Sequence, residues 1–136
     1  MTVNDGGTST GNRDSVSVFL NDGDGSMAAP TEYLTGSLPR SVSVVDLNRD
    51  GFLDLAVTHQ WSENVAILEG DGRGGFTERR PAPINGADET PRDATAVDVD
   101  GDGFAELAIT NEALGGSVGI LANQSGKGLP DVDADL

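Results

Sequence analysis

Four oxygen-tipped side chains crowd one short stretch of the chain. Asp46, Asn48 and Asp50 take alternate positions, a glycine follows at 51, and Asp54 comes next. The pattern returns 52 residues later as Asp98, Asp100, Asp102 and Glu106. Two carboxylates about 4 Å apart repel by roughly 4 kcal/mol at an effective dielectric near 20. A folded domain has only about 5–15 kcal/mol of net stability, so such a cluster is unfavourable without a counterion. A hard divalent cation reverses the sign. Calcium accepts about six to eight oxygens at roughly 2.3–2.6 Å in flexible geometry. Alternate side chains converge on it when the backbone curls, and Gly51 permits the curl. Magnesium fits less well, because it prefers a rigid octahedron and keeps more of its water. The side-chain ligands expected are therefore Asp46, Asn48, Asp50 and Asp54 in one loop and Asp98, Asp100, Asp102 and Glu106 in the other, with water completing each shell. The competing reading is a pair of solvated Asp-Gly turns. Recurrence of the same ligand set at the same place in two units weighs against it.

Other chemistry finds little footing. An EF-hand loop needs a bidentate Glu at its twelfth position. That position is Val57 counted from Asp46 and Ile109 counted from Asp98, and no helical period flanks either loop. EF-hand and dockerin readings are excluded. The chain has no cysteine, hence no disulfide, thiolate metal site or cysteine nucleophile. His59 is the only histidine, and no Gly-x-Ser-x-Gly, P-loop or zinc signature is present. A carboxylate pair for glycoside hydrolysis is formally available, but the obvious pairs belong to the metal loops. A non-catalytic protein is expected. Trp61, in "THQWSEN", could stack on a sugar or anchor a partner, or be partly buried against neighbouring structure. "NDGDG" at residues 21–25 shares no ligand set with its repeats and reads as a hairpin turn. The "DVDADL" tail reads as a frayed end.

The net charge of −15 makes nucleic acid and anionic membranes poor partners and a cation a good one. No apolar run approaches the roughly 20 residues of a membrane helix. The first dozen residues lack the basic and apolar regions of a signal peptide. Hydrophobic residues make up 36% of the 136 residues and aromatics only 4%, so the core must be built from Val, Leu, Ile and Ala.

The elements that position the loops come as repeats. "SVSVVDLNRDGFLDLAVTH" at 41–59 matches "DATAVDVDGDGFAELAITN" at 93–111. "NVAILEGDGRGGF" at 64–76 matches "SVGILANQSGKGL" at 117–129, and an earlier copy of this half is "SVSVFLNDGDGSM" at 15–27. The units run 41–92 and 93–136, preceded by a partial unit at 1–40. Within each, alternating β-branched stretches predict strands: one before the acidic loop, a second after it with Leu53, Leu55 and Val57 on one side, and a third at 64–70 or 117–123. Gly-rich tracts then turn into a weaker fourth strand such as "GFTERRPA". Prolines lie near the unit edges, where they spare ladder hydrogen bonds. Phe52 and Phe104, each following a loop glycine, read as core anchors, and Arg79 and Arg80 as solvent-facing. No window carries a sustained helical period. The class is all-β, and a period near 50 with about four strands suits a propeller blade.

The succession "VVDLNRDGFLDLAV", "NVAILEGDGRGGF" and "SVSVFLNDGDGSM" resembles the FG-GAP/VCBS repeat family, over about residues 15–129. The resemblance implies β-propeller-type blades of four antiparallel strands, with calcium held in the acidic loops. It implies the backbone carbonyls of Phe52 and Phe104 as further ligands, and marks Glu106 as a departure from the family's usual Asp. It also implies an extracellular or cell-surface setting and protein or glycan recognition on a propeller face. Alternatives are a non-catalytic portion of a larger secreted enzyme and a minimal blade unit that assembles into a ring. Family propellers close with about seven blades, whereas this sequence supplies about two and a half. Repeats need neighbours to bury their faces, so self-association or further blades are expected.

Overall fold

The computed structural model describes residues 2–4, 14–60, 64–79, 82–83, 90–112 and 115–123. Trp61, Arg80, the turn beyond Asn123 and the "DVDADL" tail lie outside the described residues. Eleven strands follow one another, with no helix among the described residues: β1 (Thr2–Asn4), β2 (Ser15–Val18), β3 (Thr31–Leu34), β4 (Pro39–Val45), β5 (Asp54–His59), β6 (Asn64–Gly70), β7 (Phe76–Glu78), β8 (Ala82–Pro83), β9 (Pro91–Val97), β10 (Glu106–Asn111) and β11 (Ser117–Leu121). The fold is all-β and consists of propeller-type blades.

Three antiparallel sheets form, ordered β1-β2-β3, β4-β5-β6-β7 and β9-β10-β11. Chain connectivity is up-and-down within the second and third, as short turns between successive strands require. The acidic loops join β4 to β5 and β9 to β10. Pro39 and Pro91 open β4 and β9, opposite His59 and Asn111, and each sits at a register shift. A proline at the first residue of a strand removes no ladder donor. The expected fourth strand of the middle blade is split. β7 pairs with the Leu68–Gly70 end of β6, and β8 pairs with Asn64 and Val65. The "NDGDG" stretch is a hairpin turn, bridged at Asn21 and Met27 and closed by the Asp22 amide donating to the Ser26 carbonyl at 3.1 Å.

The middle blade is buried on both faces, and all six residues of β5 are buried. Leu55, Val57, Ala66 and Leu68 pack on Val16 and Val18 of the first blade, with Tyr33, Val42 and Phe76 at the margin. On the opposite face Leu47, Ala56, Val65 and Ile67 pack on Ala94, Leu107 and Ile109 of the third blade. Period-2 alternation in β5 therefore serves two cores at once, and each fully buried Leu or Val contributes about 1.5–3 kcal/mol. Polar contacts stitch the same seams. Tyr33 meets Phe76 edge-on at 5.5 Å between centroids and donates to the Gly74 carbonyl at 3.3 Å. Ser41 donates to Asp93, and Ser43 to the Ala94 carbonyl, across to the third blade.

Both expected core anchors, Phe52 and Phe104, belong elsewhere, and Leu53 does not join Leu55 and Val57 in the core. Leu53 is 58% exposed because β5 begins one residue later, at Asp54. Phe52 is 45% exposed and lies over Gly72, where a Cβ would collide with its ring. Phe104 belongs to neither core cluster and sits beneath Arg49.

Candidate functional site

The two acidic loops share one hydrogen-bond plan. The Gly51 amide donates to Asp46 Oδ2 at 3.0 Å, and the Gly103 amide to Asp98 Oδ2 at 2.9 Å. Asp50 N–H donates to Asn48 Oδ1 at 2.9 Å, and Asp102 N–H to Asp100 Oδ1 at 3.0 Å. Phe52 and Phe104 amides each donate to the aspartate two residues back, Asp50 and Asp102, at 2.8 Å. Leu47 N–H donates to Asp54 Oδ2 at 3.0 Å, and Val99 N–H to Glu106 Oε2 at 2.8 Å. These bonds turn each backbone around its own carboxylates. The loop glycines make the turn possible, Gly51 at φ 88° and Gly103 at φ 87°.

The loops differ in how the last carboxylate is used. Asp54 is fully buried, and its Oδ1 accepts a second amide, Gly70 N–H, at 3.0 Å. Burial raises its pKa, countered in part by the Gly70 and Leu47 amides, while the charges of Asp50 and Glu69 push it the same way as burial. Glu106 is also buried, at 3% exposure, but its Oε1 has no hydrogen-bond partner among the described residues. That extra methylene carries the carboxylate into a group with Asp98 and Asp100, their oxygens all within 4.8 Å of one another. Among the described residues this is the one such acidic group. Asp102 stands outside it and is exposed. In the first loop Asp46, Asp50 and Asp54 do not close to that distance, although Asp46 Oδ1 is buried without a partner among the described residues. Asn48 Nδ2 instead donates to Asp50 Oδ2 at 3.1 Å and to Glu69 Oε1 at 3.5 Å.

The donor set suits a hard cation. It offers carboxylate and amide oxygens, with a buried orphan oxygen in each loop that water or metal must satisfy. Ordinary Asp-Gly turns of the same molecule are built otherwise. In the turn after β6, Asp71 Oδ1 takes the amides of Arg73 at 2.7 Å and Gly75 at 2.9 Å, and those bonds hold its pKa down. Asp24 is likewise held down, chiefly by the Ser26 hydroxyl and amide. Neither turn gathers three acidic side chains into a metal-sized group.

Two residues that matter at the loops escape a reading of the repeats. Asn123 is buried and donates from Nδ2 to the Leu47 carbonyl at 2.7 Å and the Ala105 carbonyl at 3.2 Å. It stands where the middle blade has Gly70, whose Cβ would collide with the Leu53 carbonyl. Arg49 leaves the first loop to lie over the Phe104 ring of the second, 4.4 Å from its centroid. The signal for both was the mismatch between otherwise matching copies.

His59 ends β5 fully buried. Burial lowers its pKa, opposed in part by neighbouring Asn64 and the charge of Asp14. It plugs the end of a blade, as Asn111 does in the third.

Comparison with family models finds two matches to the FG-GAP-like repeat, over residues 7–57 and 46–109. The second runs from the first acidic loop into β10, so it contains both loops. Neither a curated protein nor a solved structure matches the chain.

Proposed function

The chain belongs to the FG-GAP-like repeat family, and from that footing we propose that it is a calcium-binding β-propeller-type module serving recognition outside the cell. Its two acidic loops hold structural calcium. The carrying observation is the orphan Glu106 Oε1, buried and gathered with Asp98 and Asp100. Glu106, Asp98 and Asp100 hold the ion in the second loop, with Asp102 and the Phe104 carbonyl available to the rest of its shell. Asp46, Asn48, Asp50, Asp54 and the Phe52 carbonyl serve in the first. The ion neutralises the carboxylates and pins the link between the first two strands of each blade. The blade face then offers a rigid, non-catalytic surface to a protein or glycan ligand. An extracellular setting, rich in calcium, suits sites of about 10⁻⁴–10⁻³ M affinity. No helix among the described residues is long and apolar enough to cross a membrane.

Calorimetric titration of calcium into chelator-stripped protein tests this reading. Binding heat and a chelator-sensitive melting temperature are expected. No heat, with melting indifferent to chelator, overturns it.

The third blade supports a further part of the proposal, that another blade packs on its outer face. Val97, Val99, Val118 and Ile120 are 42–68% exposed there. Their counterparts in the middle blade are Val45, Leu47, Val65 and Ile67, which face the third blade and belong to or pack against the core. On the first blade the outward-facing Ser15 and Ser17 are polar and already buried. The apolar outer face of the third blade is thus that of an interior unit, which a repeat array buries against a neighbour.

A further inference from the structure

Arg49 holds a left-handed backbone at φ 60°. Its counterpart in the second loop, Gly101, adopts φ 78°, a conformation that costs glycine nothing and an L side chain something. A glycine would serve the first loop's backbone better, so the arginine is accounted for by what its side chain does. The guanidinium reaches across the blade seam and lies over the Phe104 ring, 4.4 Å from the centroid. It occupies space that Gly103 leaves open, since a Cβ at 103 would collide with it. Such a cation over an aromatic face is an attractive, orientation-dependent contact.

Both ends of this bridge are anchored in proposed ligands. The peptide group that follows Arg49 is set by Asn48 Oδ1, which takes the Asp50 amide, and the next one along by Asp46 Oδ2, which takes the Gly51 amide. Phe104 is held by Asp102, and Gly103 by Asp98. Asn123 adds a second link, tying the Leu47 carbonyl of the first loop to the Ala105 carbonyl that follows Phe104. An ion drawing Asp46, Asn48 and Asp50 together therefore acts on the backbone that aims Arg49, and Arg49 acts on the turn that presents the second loop.

We infer that Arg49 couples the two calcium loops, so that filling the first favours filling the second, and the reverse by linkage. The inference builds on the calcium reading above. Arg49 is a positioning residue. Its charge also repels an ion in the second loop, so the affinity of that loop alone does not measure the coupling.

The test is a cycle of calcium titrations followed by calorimetry at physiological salt. Asp50→Ala leaves the second loop to be measured alone, and Asp100→Ala leaves the first. Coupling is the factor by which the overall two-ion constant of the intact protein exceeds the product of those two constants. Each measurement is repeated with Arg49→Gly, which relieves the backbone and preserves the turn, and with Arg49→Lys, which keeps the charge but not the planar stack. The charge lost with each aspartate is the same in every background, so differences between backgrounds isolate Arg49. The expected factor is about 5 or more with Arg49, intermediate with lysine, and close to 1 with glycine. A factor close to 1 with Arg49, or one that survives Arg49→Gly, overturns the coupling while leaving calcium binding intact. Absence of any calcium heat in the intact protein removes the calcium reading itself, and the coupling with it.

Discussion

Replacing Glu106 by Gln should change the sign of its effect on stability with calcium. Without metal, the buried Glu106 carboxylate faces Asp98 and Asp100, with oxygens within 4.8 Å. One such pair repels by about 3.5 kcal/mol at an effective dielectric of 20. Both partners are exposed, and solvent screening reduces the total to about 1 kcal/mol. Glutamine keeps an oxygen for the Val99 amide and turns an N–H toward the aspartates, so Glu106→Gln gains about that much in chelator. Calcium at 100 times its Kd stabilises one site by about 2.7 kcal/mol, and the variant forgoes this at the second loop. The net is a loss of about 1–2 kcal/mol in calcium. For a chain of this size 1 kcal/mol is roughly 3–4 °C in Tm. The variant should thus melt about 3 °C above the parent in chelator and about 5 °C below it in calcium, by scanning calorimetry. Equal destabilisation in both conditions would make Glu106 a purely structural side chain and refute the reasoning.

Two further outcomes follow from buried and exposed groups. His59 has a folded-state pKa below its ordinary 6.5, so the unfolded chain takes up the proton first. Stability is full above that value and declines as pH falls through it toward the folded-state pKa. His59→Asn, the residue the third blade uses at 111, should remove that decline between about pH 7 and 5 in metal-free thermal melts, each unit of depression corresponding to about 1.4 kcal/mol; an unchanged pH profile would contradict the assignment. On the open face, the parent should sediment heavier than one chain, and Val118→Lys with Ile120→Lys should return it to a folded monomer whose Tm no longer rises with protein concentration, because both side chains are half or more exposed in the single chain and only association buries them. A monomeric parent would refute association through that face.

Strands, repeats and acidic loops were legible because each is a local pattern. Alternation in "VVDL" or "LAVT" specifies a strand whatever its neighbours are, and Asp-x-Asn-x-Asp-Gly specifies a curl. The split of the fourth strand into β7 and β8 was not legible, since edge pairing depends on what solvent and the following turn allow. Alternation places Leu53 on one side of the strand with Leu55 and Val57, yet β5 begins only at the buried Asp54, whose carboxylate is bonded to the Leu47 and Gly70 amides. Phe52 and Phe104 look like core anchors in one dimension. In three they cover loop surfaces, one over Gly72 and the other beneath Arg49. Asn123 was invisible for a related reason: its partners lie 76 and 18 residues away, and no local rule connects them.

The departures between copies are therefore as informative as the repeat. Three of them, Arg49 for Gly101, Gly70 for Asn123 and Asp54 for Glu106, fall at or beside the loops where the middle and third blades meet. An isolated loop of this kind needs only a ligand set and a turn. A loop inside an array must also avoid the blade behind it and fit the blade ahead. Gly70 leaves room for the Leu53 carbonyl and gives its backbone amide to Asp54, whereas Glu106 Oε1 receives no such amide and the Asn123 side chain reaches across the seam instead. The two sites are thus unequal by construction: the first has a carboxylate already satisfied by backbone, and the second has one that still needs a partner. On this argument the second loop gains more from calcium than the first. Asp100→Ala should accordingly cost more of the calcium-dependent rise in Tm than Asp50→Ala, and the opposite order would show that the amide held by Asp54 does not compete with the ion.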